Sequence, residues 1–206
     1  NKCKIIIRTL HNFLKHTIHL FSGIILTSEA NFLTPNNYSN QSVHKHAPKE
    51  TSLRLDQTNF DQFEYDILQI TRLLFLAFHC PKSHAWVNSY YLAEQIFGAP
   101  YGSTIATAVL KAVNAVCESR IYGINYHDTN CEKCKEYLTN EEYYFIGTLH
   151  KIRQKNSSGA KVNAMMLCEG TSFNKFLEYI VELSNIALHL TDISPDNRGV
   201  ANHGFI

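Results

Sequence analysis

The run from Phe63 to Phe78 limits the choice of fold more than any other stretch of the chain. Phe63, Ile67, Ile70, Leu74 and Phe78 recur at helical spacing, and Leu73, Phe75, Leu76 and Ala77 widen the stripe until the segment is apolar nearly all round. A helix without a solvent face has to be surrounded, so this run predicts the central element of an all-α bundle. Pro81 ends it, because proline supplies no amide to the helix and holds the residue before it out of helical geometry. Cys80 to His84 is then a short turn.

The chain beyond it is punctuated for further helices. Ser83 reads as the cap of a second helix that runs to Phe97, with Gly98 as its stop and Pro100 beyond. Trp86, Tyr90, Tyr91 and Phe97 give that helix an aromatic face. A third helix begins at Ser103 or Thr104, buries Ile105, Val109, Ala112, Val113 and Val116, and ends near Arg120 with Gly123 as stop. Thr139-Asn-Glu-Glu142 is a capping box, the threonine oxygen accepting an amide of the first turn while Glu142 reaches back. It opens a fourth helix, with Phe145, Ile146, Leu149 and Ile152 inward, to about Arg153. Asn156 to Gly159 reads as a turn, and Ala164 to Cys168 is too short for its period to separate helix from strand. Thr171 opens a fifth helix through Phe173, Phe176, Leu177, Ile180, Leu183, Ala187 and Leu188.

The expected fold is therefore a compact all-α bundle of about five helices over residues 59–190. Residues 31–59, rich in Asn, Ser, Thr and Gln and containing Pro35 and Pro48, read as a disordered linker too polar to bury itself. Within it, His44 and His46 read as solvated. Residues 1–30 form an amphipathic start, and residues 191–206 a flexible tail. The longest uncharged stretch of the start, His19 to Ser28, falls short of the roughly 20 apolar residues that cross a bilayer. Its basic, apolar and small residues follow the order of a signal peptide, but the histidines and the interrupted apolar run argue against cleavage.

Charge and cysteine usage narrow the function. A formal charge of +1, from 19 basic and 18 acidic residues, creates no global field toward phosphate backbones or anionic membranes. The 6 cysteines are unevenly spaced in a chain apolar enough to stand without disulfides, which predicts reduced thiols in a cytoplasmic protein.

Cys131-Glu-Lys-Cys134 carries the chemistry. Two thiolates two residues apart in a turn can face one tetrahedral ion, so a structural zinc site is the leading expectation, clipping the loop into the bundle. Cys168, after an apolar run and beside a turn, and Cys80, at a helix end before proline, are the expected third and fourth ligands. His84, His127 and Cys117 are the alternatives, although Cys117 on an inner helical face reads better as a small hydrophobe. A redox reading of Cys131 and Cys134 competes with zinc, but it calls for a helix amino terminus at the first thiol, whereas the clear cap comes later at Thr139. A nucleophile made from Cys168 with His150 or His84 has no supporting signature. Lys151, Arg153, Lys155 and Lys161 form a basic segment that suits phosphate or, more simply, a solvated helix end. Glu141 and Glu142 read as helix-start charges.

The runs Asn130-Cys-Glu-Lys-Cys134, Leu138-Thr-Asn-Glu-Glu142 and Met165-Met-Leu-Cys-Glu-Gly170 resemble the shared block of an uncharacterised family of small bacterial proteins, over residues 68–183. The resemblance implies a bacterial, cytoplasmic setting and groups Cys131, Cys134 and Cys168. It implies no activity. The function expected from the sequence is a non-enzymatic regulatory or adaptor protein that offers a helical surface to a protein partner, with nucleic-acid binding and thiol redox chemistry as the contrasting readings.

Overall fold

The computed structural model describes residues 53–193, and within them the fold is all-α. Six helices account for most of it: α1 Gln62–His79, α2 Ala85–Phe97, α3 Ala99–Ser119, α4 Asn140–Arg153, α5 Ser157–Leu167 and α6 Phe173–Ile193. A two-residue strand β1, Leu53–Arg54, pairs antiparallel with β2, Tyr137–Leu138. The amphipathic start, the signal-like segment, His44, His46, most of the linker and most of the tail lie outside the described residues.

α1 is central, as its apolar run predicts. Ile67, Leu68, Ile70 and Leu74 have no exposed surface, and the helix packs against α2, α3 and α4. It starts on a capping box absent from the sequence reading, in which Asp61 accepts the Glu64 amide while Glu64 accepts that of Asp61. Around it, α3 packs on both α2 and α6, and α4 on both α5 and α6. Phe145 of α4 joins the layers, meeting Phe75 of α1 edge-on and Phe176 of α6 at a centroid distance of 5.1 Å.

Four boundaries depart from the expected ones. Ser83 lies in a 3-10 turn over Pro81–Ser83, and the residue that caps α2 is His84, in the left-handed region at φ 53°. Ser83 still contributes, its hydroxyl donating to the Cys80 carbonyl. α3 begins at Ala99 rather than Ser103, because Pro100 sits in the first turn, where a missing amide costs nothing. Asn156 to Gly159 is a helix start instead of a plain turn: the Asn156 side chain accepts the Gly159 amide and opens α5, which makes six helices where five were expected. Residues 53–58, read as linker, form β1 and a 3-10 turn, with the Leu55 amide bonded to the Glu136 carbonyl.

The close approach of α2 and α3 rests on Gly102. A Cβ there would lie 2.5 Å from the Cα and N of Glu94 and 2.6 Å from the carbonyl carbon of Ala93, all main-chain atoms with nowhere to go. Gly102→Ala is expected to destabilise the fold by about 1–3 kcal/mol, the usual cost of overpacking, although alanine is the better helix former. Gly123→Ala, with nothing within 4 Å of the added atom, is the neutral reference. Denaturant titration of the two variants tests the difference.

Candidate dithiol site

The loop between α3 and α4 is held as a chain of tight turns. Asp128 accepts the Asn130 amide on its side chain and the Cys131 amide on its carbonyl. The Cys131 carbonyl then accepts from the amides of Cys134 and Lys135, both at 3.0 Å, which closes one helix-like turn around the Cys-x-x-Cys segment. The Tyr137 amide returns to the Cys134 carbonyl and leads the chain into β2.

This turn brings the two sulfurs together. Cys131 Sγ accepts a hydrogen bond from the Cys134 thiol, and further ones from the main-chain amides of Cys134 and Lys133. Those bonds favour a thiolate, first through the Cys134 thiol and then through the amides, and lower the Cys131 pKa. Cys134 is the opposite case: burial, reinforced by its role as donor to Cys131, pushes it up to about 11. Cys131 is partly exposed whereas Cys134 is 2% exposed, so of the two cysteines Cys131 is the more accessible.

A buried ion pair fixes the whole loop. Arg72, from the middle of α1, is 1% exposed and Glu142 is 0% exposed. Arg72 donates through Nε at 2.7 Å and Nη2 at 3.1 Å to the two Glu142 oxygens, and through Nη1 and Nη2 to the carbonyls of Lys135 and Tyr137. Glu142 also accepts the amides of His127 and Thr139, at 2.8 and 2.9 Å. The chain is therefore tied to the same pair before the dithiol, at His127, and after it, at Lys135 and Tyr137. The capping box was legible in the sequence, but this second duty of Glu142 was not; the one signal for it was Arg72, the single lysine or arginine of α1.

The other expected ligands lie elsewhere. Among the described residues, no group of three or more His, Cys, Asp or Glu side chains is gathered to hold a metal ion, so the four-thiol set Cys131, Cys134, Cys168 and Cys80 is not assembled. Cys80 caps the far end of α1, eight residues beyond Arg72, where the loop residue Tyr126 packs against Phe75 and His79. Cys168 is fully buried at the end of α5, where it bonds to Ser119, and its neighbours are drawn to the end of α3: Thr171 donates to the Ser119 carbonyl, and Arg120 to that of Leu167. Arg120 also pairs with Glu141 and Glu169, which makes that corner a second arginine-centred clamp.

The remaining candidates are engaged structurally. His150 Nδ1 lies 3.0 Å from both oxygens of Glu64, which is 1% exposed, and Nε2 lies 2.8 Å from the Gln154 amide, so His150 and Cys168 serve different contacts. Arg153 pairs with Asp61 and Glu64, Lys151 reaches Gln154, and Lys161 lies over the Phe173 ring. The basic segment thus gives the nucleic-acid reading no added support. Cys117 packs partly buried against the core, in keeping with its reading as a small hydrophobe. No described helix is long and apolar enough to cross a membrane. Comparison with protein-family models, with curated proteins and with solved structures finds no match.

Proposed function

We propose that this protein is a helical scaffold for a reactive dithiol that exchanges with disulfides. The observation that carries the reading is the pairing of partly exposed Cys131 with buried Cys134 in one tight turn, their thiols hydrogen-bonded. That order suits a two-step exchange. The Cys131 thiolate attacks a disulfide R–S–S–R, an S–S bond forms between Cys131 and one of its sulfurs as the original S–S bond breaks, and the other half leaves as RS⁻. Cys134 then gives up its proton to water and attacks Cys131 Sγ, closing an intramolecular disulfide and releasing the second RS⁻. The balance is one dithiol and one disulfide giving one disulfide and two thiols.

Two measurements test this. With iodoacetamide at limiting amount, Cys131 is expected to be modified first among the cysteines, mapped by peptide mass. With glutathione disulfide, Cys134→Ser is expected to trap a mixed disulfide on Cys131, whereas the wild type passes through to the internal disulfide. Equal alkylation of all the thiols, or no trapped adduct in folded Cys134→Ser, would overturn the reading. Elemental analysis of protein purified without chelator addresses the zinc expectation, which now requires two ligands from beyond the described residues. About one zinc per chain, lost when Cys131 and Cys134 are both changed to serine, would favour a structural knuckle over exchange.

A second reading, a regulatory or adaptor role toward a protein partner, is favoured by the outer side of α5. Val162, Met165 and Met166 stand 59%, 42% and 54% exposed there, and methionine adapts readily to a partner surface.

A further inference from the structure

Ten large apolar or aromatic side chains stand exposed among the described residues, and five of them belong to α5 and α6. Val162, Met165 and Met166 form one stripe on α5, at the i, i+3, i+4 spacing of a single helix face. On α6, Lys175 and Glu182 pair with Glu118 and Lys111 of α3, while Phe176, Ile180 and Leu183 are buried in the core. At about 100° per residue, Val181 and Leu188 then fall on the flank of α6 turned away from α3. Phe173 lies on that flank too, beneath Lys161 of α5. Val181, 40% exposed, and Leu188, 59% exposed, therefore carry the α5 stripe onto α6. An apolar surface shared by two packed helices and rimmed by charge marks a site of protein association.

We propose that the α5–α6 face is where two copies of this chain associate about a two-fold axis. The inference rests on the adaptor reading above and names a second copy as the partner. Charge selects that occupant. Residues 143–168 contain no Asp or Glu, so the α5 half of the face is basic, with Lys155 and Lys161 exposed near its stripe. The α6 half is acidic: Lys175 and Glu182 are spent on α3, and Glu178 stands exposed one turn before Val181. A face that is basic along one helix and acidic along the next meets its own complement in a two-fold arrangement, α5 of each copy lying over α6 of the other. A partner of uniform charge would match one half and repel the other. Both halves are used at once, so association closes at two copies. The unbranched methionines let the two stripes adjust to each other.

The test is sedimentation equilibrium of the full chain, kept reduced so that no disulfide joins two copies. The expected result is a reversible dimer with a dissociation constant below about 1 mM, the weak end of specific association. Met166→Glu and Val181→Glu, both at exposed positions and checked for folding by thermal unfolding, are each expected to raise that constant by more than about 10-fold. Lys161→Glu and Glu178→Lys are expected to weaken association singly and to restore it when combined, because the two charges then exchange places across the interface. Tyr91→Ser, on α2, is expected to leave it unchanged. Three results would overturn the proposal: a monomer at every concentration, a dimer indifferent to Met166→Glu and Val181→Glu, or a charge-exchanged chain that associates no better than either single variant. Oxidation of Met165 and Met166 by hydrogen peroxide separates this inference from the adaptor reading. A monomer in which both oxidise fast has an open α5 face and loses only the second copy, whereas a monomer in which both are protected loses the adaptor reading as well.

Discussion

Arg72→Ala is expected to lower the unfolding free energy by about 3–5 kcal/mol, the cost of breaking a fully buried ion pair by removing one partner. The reason lies in what remains. Glu142 keeps the amides of His127 and Thr139 but becomes an uncompensated charge with no exposed surface, and the carbonyls of Lys135 and Tyr137 lose their donor. Set against a total of roughly 5–15 kcal/mol for an ordinary domain, that is a large fraction. Replacing both partners with apolar residues of similar volume is expected to recover part of the loss, since such swaps are often neutral. The change also reaches the dithiol. With Lys135 and Tyr137 released, Cys134 is expected to lose its protection, and alkylation followed by mass spectrometry at a temperature where the variant stays folded would register it. If Arg72→Ala unfolds with wild-type denaturant dependence and an unchanged Cys134 rate, the pair does not hold the loop.

Phe145→Ala is expected to cost about 3–5 kcal/mol as well, by a different route. The ring has no exposed surface and sits between Phe75 and Phe176, so its removal opens a cavity at the junction of α1, α4 and α6. Helices on three sides restrict collapse into the gap, which places the expected loss high in that range. Phe145→Leu, which fills most of the volume, is expected to cost much less. Thermal or denaturant unfolding of both variants decides the point, and similar midpoints for the two would mean that the site relaxes freely.

The helices were legible where either the apolar spacing or a cap was unmistakable. α1 and α4 show this best: the stripe from Phe63 to Phe78 and the Thr139-Glu142 box each specify an element without help from elsewhere. α5 was lost because Asn156-Ser-Ser-Gly159 carries turn composition, and only the Asn156 bond to the Gly159 amide makes it a helix start. The position of Cys131 and Cys134 in one turn followed from their spacing. Their asymmetry did not, since it depends on burial by distant segments. Cys80 and Cys168 marked helix ends correctly as places for a sulfur, but which ends meet is decided by packing. Arg72 and Glu142 are 70 residues apart, and nothing local to either names the other.

The double attachment of the loop suggests how this protein can change. Residues 128–134 are bracketed by contacts that involve main-chain groups of the loop, the His127 amide on one side and the Lys135 and Tyr137 carbonyls on the other. A bracket of that kind does not depend on which exposed side chains lie within it. The segment is therefore a replaceable cassette: a different seven-residue turn can be spliced between the same anchors, provided that it keeps a small apolar side chain at the buried position of Cys134.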